Sequence, residues 1–561
     1  MTQQPRAPPN GIVLSCFSGE VPTYLGLKGK YLNMAISTMC GVGFLLFGYD
    51  QGVMGSLLTL PSFRDEFPTI DTQRNPDNST LQGFTVAVYE LGCMASALVT
   101  IKLGDKLGRL KTMLLGVAIM FVGGILQASS VKSIAFLIVA RIVTGLGNGF
   151  NTATVPVYQS ETSKAHNRGM LICVEGCLIT FGICLSYWID YGLYPYGGQV
   201  SWRFPIAFQC IFPLIMFPFI LKLPESPRWL MRHDREEEAR RVFASLYDTS
   251  VNDPLIDSQL EEIKQSLQAE VAASGGHFSA KDLLKQGKTR TFHRVCLAAF
   301  CQFMQQICGI NLITYYAGTI FEDYIGMSAT NSRILAACNG TEYFIALIFT
   351  IFLIERLGRR PLFLFGTAGQ ALSMLFLFVT NWLSENKDNK GAAIGAAFLL
   401  FMFNTFFGLS LLSLTWLYSP EISSLAARTA TSGISTAANW VTNFFVVMIT
   451  PILFNHIKSY TYLVFFFINL AMLPVLYFLF PETKGRSLEE MDVIFSMTPV
   501  YKPWEAVQIA RDLPFIHAGT VDDHHEKVSV DHNDEALLTS VPEEKASVVH
   551  NDDALESDHL I

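Results

Sequence analysis

The stretch Asp105-Lys106-Leu107-Gly108-Arg109 is followed 250 residues later by a near copy, Glu355-Arg356-Leu357-Gly358-Arg359-Arg360. Two further charged clusters repeat in the same order, at offsets of 260 and 257 residues. Their members are Glu161 and Arg168 with Glu421 and Arg428, and Pro224-Glu225-Ser226-Pro227-Arg228 with Pro481-Glu482-Thr483-Lys484-Gly485-Arg486. One charged cluster at a helix end is ordinary, but three clusters in a conserved order indicate a duplicated unit.

Long apolar runs separate these clusters. Only 16% of the 561 residues are charged, whereas soluble domains carry about 25%. A helix needs roughly 20 apolar residues to cross a bilayer, and only helices or closed barrels satisfy their backbone in lipid. The sequence therefore predicts an all-α membrane protein with twelve transmembrane helices. The predicted spans, numbered 1 to 12, are residues 32–55, 83–103, 112–131, 134–156, 169–191, 203–222, 296–318, 335–354, 361–381, 391–416, 431–453 and 460–480.

A polar stretch of about 70 residues separates the sixth span from the seventh, and such a break is typical of a linker between two copies of a unit. We predict two six-helix halves, residues 31–222 and 294–495, joined by a helical linker at 223–293. The N-terminus, 1–30, precedes them. Residues 496–561 are acidic and read as a disordered tail.

Lysine and arginine residues cluster on one side of the predicted spans, a bias typical of cytoplasmic loops. Both termini and the linker are therefore expected in the cytoplasm. The loop between spans 1 and 2 then lies outside and carries Asn78-Ser79-Thr80, so Asn78 is a candidate glycosylation site. A second sequon, at Asn339, falls inside a predicted span, where we expect no modification.

Two sets of six spans with these repeated clusters resemble the major facilitator superfamily. Four motifs resemble its sugar porter family: Gly48-Tyr49-Asp50-Gln51-Gly52, Pro224-Glu225-Ser226-Pro227-Arg228, Gln305-Gln306-Ile307-Cys308-Gly309-Ile310-Asn311 and Pro481-Glu482-Thr483-Lys484-Gly485-Arg486. A finer pattern, from Pro156 to Asp190, resembles the fungal branch that includes yeast glycerol–proton symporters and related hexose porters. The resemblance implies a secondary sugar transporter of the plasma membrane that works by alternating access between two like halves.

The repeated charges fall at the predicted cytoplasmic ends of helices, where they can pair across helices and between halves. One exposed pair contributes only about 0–1 kcal/mol, so a network is needed to bias a conformational equilibrium of a few kcal/mol. The alternative is that the basic residues only set topology. The candidate members of a cytoplasmic gate are Asp105, Arg109, Glu161, Arg168, Glu225, Glu355, Arg359, Arg360, Glu421, Arg428 and Glu482.

Asp50 in span 1 and Arg141 in span 4 are charged residues inside predicted spans. Intramembrane charges are expensive and are functional by default. The resemblance implies that Asp50 carries a proton, that Arg141 is its partner and that Phe47 links them to the sugar site. Related facilitators also carry this aspartate, so a purely structural pair stays the alternative.

Four amides and two tyrosines lie close together along span 7, and a sugar needs side chains that both donate and accept hydrogen bonds. The alternative is helix–helix hydrogen bonding. The resemblance assigns sugar contacts to Gln305, Gln306 and Asn311, and it adds Trp416 of span 10 and Asn439 of span 11. The candidate substrate-binding residues are Gln302, Gln305, Gln306, Asn311, Tyr316, Trp416 and Asn439.

Three positions depart from the family pattern. Gly176, preceded by Glu175, stands where the family has a glutamine, and Tyr343 stands where it has an asparagine. Thr415 replaces the proline before Trp416. The resemblance favours a hexose or pentose as the substrate. Because the first two changes remove amides that contact hexoses in the family, a polyol such as glycerol or a disaccharide is the alternative.

Proton-coupled import of a sugar is the function that the sequence favours, with an uncoupled facilitator as the alternative. A transporter-like nutrient sensor is disfavoured, because sensors in this family carry longer C-terminal tails than the roughly 65 residues here. No phosphate loop, nucleophile elbow or metal-ligand spacing is present, so we expect neither an enzyme nor a cofactor or metal. The expected partners are a sugar or polyol, protons and the bilayer, without nucleic acid, and we expect a monomer.

Overall fold

α-Helices form nearly all the regular structure in a computed structural model that describes residues 21–163, 168–273, 283–287, 289–387, 389–424, 427–486 and 488–514. The first helices are α1 (Gly29–Leu57), α2 (Pro61–Glu66), α3 (Ser79–Leu107), α4 (Arg109–Ala128), α5 (Ile134–Thr162), α6 (Arg168–Leu193), α7 (Val200–Phe208) and α8 (Ile211–Ile220). Three helices follow between the halves: α9 (Pro227–Arg232), α10 (Glu236–Tyr247) and α11 (Pro254–Ala273). The remainder are α12 (Thr291–Ile307), α13 (Ile310–Thr319), α14 (Ala329–Leu357), α15 (Arg359–Lys387), α16 (Lys390–Gly408), α17 (Leu411–Ile422), α18 (Arg428–Ile457), α19 (Tyr460–Leu479), α20 (Leu488–Met497) and α21 (Glu505–Asp512).

Within the described residues, twelve helical segments are long and apolar enough to cross a membrane, which confirms the predicted number. Their bounds are Gly29–Leu57, Pro76–Leu107, Arg109–Ala128, Ile134–Thr162, Leu171–Tyr196, Val200–Ile220, Thr291–Tyr324, Ala329–Ile354, Arg359–Lys387, Gly391–Ile422, Ala430–Ile457 and Tyr460–Leu479. Most helices run beyond the predicted apolar runs, because polar residues at their ends continue the helical hydrogen bonding. The span numbers 1 to 12 refer to these segments from here on.

Spans 6, 7 and 10 are each built from two helices joined at a short break. In span 7 the break falls at Cys308 and Gly309, and Gly309 has a φ of +102°. A side chain is strained in that backbone conformation, and a Cβ on Gly309 would also lie 2.8 Å from the ring of Phe465. A broken helix in a transporter frees polar groups for a binding site, and this break separates Gln305 and Gln306 from Asn311.

The two halves pack together along three pairs of spans: 2 with 11, 5 with 8, and 1 with the second part of 7. Glycines allow the last pair to approach closely. A Cβ on Gly318 of span 7 would lie 2.7 Å from the carbonyl oxygen of Gly55 in span 1. We call the end of the bundle that carries the repeated charges the motif end, and the opposite end the Asn78 end.

The linker is helical, as predicted from its charge pattern: α10 begins at Glu236 with three consecutive glutamates in its first turn, and α11 covers residues 254–273. Residues 274–282 lie outside the described part of the chain.

The start of the predicted tail differs from the expectation of disorder after residue 495, because Glu505–Asp512 form the helix α21. Arg486 explains this difference: its guanidinium donates to the carbonyl oxygens of Ala510 and Leu513, at 2.8 and 2.5 Å. The rest of the predicted tail, residues 515–561, lies outside the described residues.

Candidate functional site

Three of the predicted substrate-binding amides meet between spans 7 and 11. The Nδ2 of Asn439 donates to the Oε1 atoms of Gln302 and Gln305, at 2.7 Å each. The Nε2 of Gln305 in turn donates to the carbonyl oxygen of Leu412 in span 10, at 3.0 Å. All three amides are buried, so a polar group that breaks this network must supply the lost hydrogen bonds.

A second amide group spans the break in span 7 and reaches the other half. Asn311 donates through Nδ2 to the Oε1 of Gln306. Its Oδ1 accepts from the Nε2 of Gln51 in span 1, at 3.1 Å. Gln51 was not among the predicted site residues, although its place beside Asp50 was a usable signal. The predicted binding residues are therefore connected to the first half through the residue that follows the predicted proton carrier.

The two remaining predicted substrate-binding residues, Tyr316 and Trp416, differ in how deeply they are buried. Tyr316 is buried, and its hydroxyl donates to the carbonyl oxygen of Val447 in span 11, at 2.9 Å. Trp416 is half-buried in α17. Near it in the chain, the hydroxyl of Thr415, which stands where the family has a proline, donates to the carbonyl oxygen of Leu411, at 3.0 Å.

A neighbouring aromatic contact joins the halves. The rings of Phe47 in span 1 and Trp440 in span 11 meet edge to face, with centroids 5.5 Å apart. The buried indole N–H of Trp440 has no hydrogen-bond partner among the described residues. Phe47 was expected to link the charged pair to the sugar site. Trp440, which directly follows Asn439, was not among the predicted site residues.

Asp50 and Arg141 are both fully buried and close enough for their charges to interact. Among the described residues, however, neither carboxylate oxygen of Asp50 has a hydrogen-bond partner. The Nη2 of Arg141 donates to the carbonyl oxygen of Val86, at 2.8 Å, and its guanidinium lies 5.4 Å from the centroid of the Tyr89 ring. The predicted partners thus share one buried region without a direct ion pair.

Sequence reasoning missed a third charge in this region, Glu90 of span 2. Its Oε1 accepts a hydrogen bond from the hydroxyl of Tyr315 in span 7, and the residue is fully buried. The signal was available, because Glu90 is an ionisable residue within an apolar span. Glu90 and Tyr315 belong to different halves, so this hydrogen bond crosses the interface.

Two of the departures from the family pattern, Gly176 and Tyr343, are buried. At Gly176 a Cβ would lie 2.8 Å from the Oγ of Ser413, so a larger side chain would require movement there. The ring of Tyr343 packs 6.1 Å from that of Phe407. Glu175 is buried in span 5.

At the motif end of the first half, the predicted gate residues assemble around the start of α4. Arg109 donates through Nε and Nη2 to the two carboxylate oxygens of Glu161, at 3.0 and 2.9 Å. Glu225 accepts from the backbone N–H groups of Arg109 and Leu110, at 3.0 and 3.2 Å. Burial raises the pKa of Glu225, and these N–H groups oppose that effect.

The second half repeats this arrangement at the start of α15. Arg359 donates through Nη2 and Nε to Glu421, at 2.9 and 3.3 Å. Glu482 accepts from the backbone N–H groups of Arg359 and Arg360, at 2.9 and 3.0 Å. Gly108 and Gly358, which precede the two helices, both have a φ of +92°. The repeated sequence therefore builds one structural unit twice.

The other predicted gate residues lie around these two units. Asp105 pairs with Arg232, at 3.5 Å, and Arg360 donates to the carbonyl oxygen of Tyr477, at 2.7 Å. Arg428 begins α18 and is half-buried. The side chains of Arg168 and Glu355 lie outside the described part of the structure. The ion pairs given above join helices of the same half, or the first half to the linker helix α9. Pairing between the halves stays a prediction.

At the Asn78 end, by contrast, polar contacts join the two halves directly. Arg64 pairs with Asp323, at 3.0 Å, and Arg333 donates to the hydroxyl of Thr59, at 2.7 Å. The hydroxyl of Tyr187 in span 5 donates to the carbonyl oxygen of Thr314 in span 7. Together with the close approach of Gly55 and Gly318, these contacts close the bundle at this end.

Asn78 lies at this end of the bundle, and its Nδ2 donates to the carbonyl oxygens of Asp71 and Pro68, at 3.0 and 3.3 Å. Its glycosylation stays a prediction. The second sequon asparagine, Asn339, is buried in span 8.

A cavity of about 620 Å³ lies to the side of the bundle, lined by Trp188, Glu342 and Thr405 together with apolar residues of span 8. Thr405 donates to Glu342 at 2.5 Å. Phe349 and Phe352, which also line the cavity, are among the exposed apolar side chains. The cavity therefore opens on the outer, apolar surface of the bundle and contains none of the predicted binding amides.

Comparisons with known proteins identify the family of this chain. A profile described as sugar (and other) transporter matches residues 35–495. Sugar transporter STL1 of Saccharomyces cerevisiae is 41% identical over 524 residues, which cover 91% of this chain and 90% of that protein. The high-affinity glucose transporter of Kluyveromyces lactis is 29% identical over 539 residues, with coverage of 90% and 92%.

Solved structures share the fold. The proton:xylose symporter XylE bound to 6-bromo-6-deoxy-D-glucose aligns with a TM-score of 0.70 at 25% identity, covering 83% of this chain and 100% of that chain. A partially occluded, inward-open conformation of XylE from E. coli aligns with a TM-score of 0.69 at 22% identity, covering 82% and 100%. The chain is thus a multi-pass membrane transporter and not an enzyme, and it belongs to the sugar transporter family of the major facilitator superfamily.

Proposed function

We propose that this chain imports a sugar or a small polyol across the fungal plasma membrane together with a proton, by alternating access. The observation that carries the proposal is the hydrogen bond between Gln51 and Asn311. It joins the residue after Asp50 to the amides of span 7 and crosses between the halves. A solute that takes over this bond would change the surroundings of the buried charges, and that is the linkage on which coupled transport depends.

The motif end is cytoplasmic in this proposal, and the state with a closed Asn78 end is the one that faces inward. Gly176 and Tyr343 favour a substrate that needs fewer amide contacts than a hexose, because neither residue supplies the amide that the family pattern has at its position. A pentose or a short polyol such as glycerol therefore stands beside hexoses as a candidate. A facilitator without proton coupling is the second reading.

The first test measures uptake of radiolabelled D-glucose, D-xylose and glycerol in yeast that lack their own transporters for these compounds. We expect at least one compound to accumulate above its external concentration, because a proton gradient drives its entry. A protonophore should collapse this accumulation to equilibrium. Accumulation that survives the protonophore, or uptake that never exceeds equilibrium, contradicts proton coupling.

The second test replaces the predicted proton carrier, Asp50→Asn. Without a titratable group at this position, net accumulation should fall to equilibrium, while exchange of labelled for unlabelled substrate continues at a rate within a few-fold of wild type. Glu342→Gln, which removes a carboxyl that faces the lateral cavity, serves as the matched control and should accumulate normally. Retained uphill transport in Asp50→Asn would assign the carboxyl a structural role.

The third test removes the donor at the centre of the first amide group, Asn439→Ala. It removes the amide that the family resemblance assigns to the substrate, so a bound hydroxyl group would lose its partner in a buried site, at a cost of about 1–3 kcal/mol. We expect KM to rise about 5- to 100-fold, measured from initial uptake rates at equal surface abundance. Asn381→Ala removes a buried asparagine of span 9 as the control. An unchanged KM for Asn439→Ala rules it out as a substrate ligand.

The fourth test addresses the gate with Glu421→Gln, which weakens the bonds to Arg359 and to the hydroxyl of Thr483. The gate hypothesis further predicts that Glu421 pairs with the other half while the motif end is closed. Loss of one hydrogen bond to a charged group costs about 1.5–3 kcal/mol, so opening at the motif end should become roughly tenfold more favourable. The readout is labelling of Cys301, with the other cysteines replaced, by an impermeant thiol reagent applied to inside-out vesicles. Glu385→Gln, at the opposite end, is the control, and labelling at the wild-type rate would remove Glu421 from the gate.

A further inference from the structure

Glu90 is a membrane-span glutamate whose hydrogen-bonding capacity is only partly used. It is fully buried in span 2. One carboxylate oxygen, Oε1, accepts from the hydroxyl of Tyr315, whereas Oε2 has no hydrogen-bond partner among the described residues. The Nε and Nη1 atoms of the neighbouring Arg141 are likewise without partners in that part of the chain. The region therefore holds unused donors and acceptors at its centre.

The charges in this region do not balance when all of them are ionised. Two carboxyl groups, Asp50 of span 1 and Glu90, interact with a single guanidinium, Arg141 of span 4. The sum is one negative charge in a fully buried site, and an uncompensated buried charge is strongly unfavourable. Binding of one proton neutralises the cluster.

The remaining groups near Glu90 do not supply a second positive charge. Tyr89 and Cys93, on the same span, and Tyr315, from span 7, face the cluster. Span 11 also packs against span 2, and residues 429–455 within it contain no titratable side chain. A proton is therefore the charge that the cluster lacks.

We propose that Glu90 is a second proton-binding carboxyl of the transport cycle, and that Tyr315 ties its charge to contact between the halves. The inference rests on the proposed proton coupling and names a residue and a switch within it. A hydrogen bond donated to a carboxylate stabilises the ionised form. Because Tyr315 belongs to the second half and Glu90 to the first, that bond exists only while spans 2 and 7 are in contact.

The direction of this switch suits import. When the Asn78 end opens and Tyr315 withdraws, Glu90 loses its donor and binds a proton from the outer solution, so that the carboxylate becomes a carboxylic acid. When the end closes, the hydroxyl of Tyr315 returns and favours the carboxylate, and the proton leaves toward the motif end. At Glu90 one proton is bound and one is released per cycle, and no other covalent bond is made or broken.

The test uses the full-length protein in yeast and in vesicles, with the labelled compound, D-glucose, D-xylose or glycerol, that the wild type accumulates. In Glu90→Gln we expect accumulation to fall at least tenfold, toward equilibrium, while exchange stays within about threefold of wild type. Glu342→Gln is the matched control for loss of a span carboxyl.

Tyr315→Phe tests the switch itself, because it removes the donor and keeps the ring. The proton should then be released only at a lower proton concentration, so the internal pH at which net uptake is half-maximal should rise by about one unit. A residue that only packs would change the rate without moving this pH. Tyr49→Phe is the matched control: Tyr49 also loses one buried hydroxyl, which bonds Pro205 within the first half at 2.8 Å.

Each outcome decides a different point. A wild type without protonophore-sensitive accumulation overturns the proposed function and this inference with it. Normal accumulation in Glu90→Gln, beside a coupled wild type, overturns the inference alone. If Glu90→Gln does not reach the membrane, the pH shift in Tyr315→Phe decides, and an unmoved profile there contradicts the role of the hydroxyl.

Discussion

Polar groups at the centre of a membrane bundle have no bulk water to bond, so each must find its partner in another helix. In this protein the partner often belongs to the opposite half. Gln51 bonds Asn311 across the interface, and Glu90 bonds Tyr315. The two halves are thus held together at their centre by hydrogen bonds that must break when they move apart. The halves can separate at low free-energy cost only if other groups replace those hydrogen bonds. Hydroxyl groups of a solute, water and a proton can do so.

The repeated charged clusters have a different character. In each half, a glutamate that follows the last span accepts hydrogen bonds from backbone N–H groups at the start of α4 or α15. The arginine at the start of the same helix pairs with a second glutamate. The positive end of the helix dipole adds to this attraction. Tyr158 and Tyr418 extend the symmetry, since each donates to the carbonyl oxygen of the proline before that loop acid, Pro224 or Pro481. These units stiffen the helix ends, so that each half can move as one body.

The sequence was sufficient to predict the architecture, because hydropathy and repetition are properties of the chain alone. Twelve spans, the duplicated halves and the helical linker all followed from them. Helix ends were less predictable, because residues beyond an apolar run can continue the helix. The first span was predicted at 32–55, and its helix covers Gly29–Leu57. The helix α21 was missed because its order depends on Arg486, which is distant in sequence and contacts the backbone of residues 510 and 513.

The candidate site, too, could be predicted from the sequence only in part. The amides of span 7 stood out by their number, and the structure brings Gln302 and Gln305 to Asn439. The partners from the other half, Gln51 and Tyr315, could not be derived from spacing, because residues 260 and 225 positions apart meet only through the fold. Asp50 and Arg141 were predicted as a pair, whereas the structure describes a three-charge cluster in which Glu90 is the added member.

The hydrogen bond between Gln51 and Asn311 has a consequence for selectivity. Gln51 and Asn311 already bond each other, so under the proposed function an entering molecule competes with an existing hydrogen bond. An apolar molecule of the same size would separate the two amides and leave both unpaired in a water-poor environment, at several kcal/mol. A compound rich in hydroxyl groups would replace the lost hydrogen bonds. Under the proposed function, the contact between the halves therefore selects for hydroxyl groups before the shape of any pocket matters.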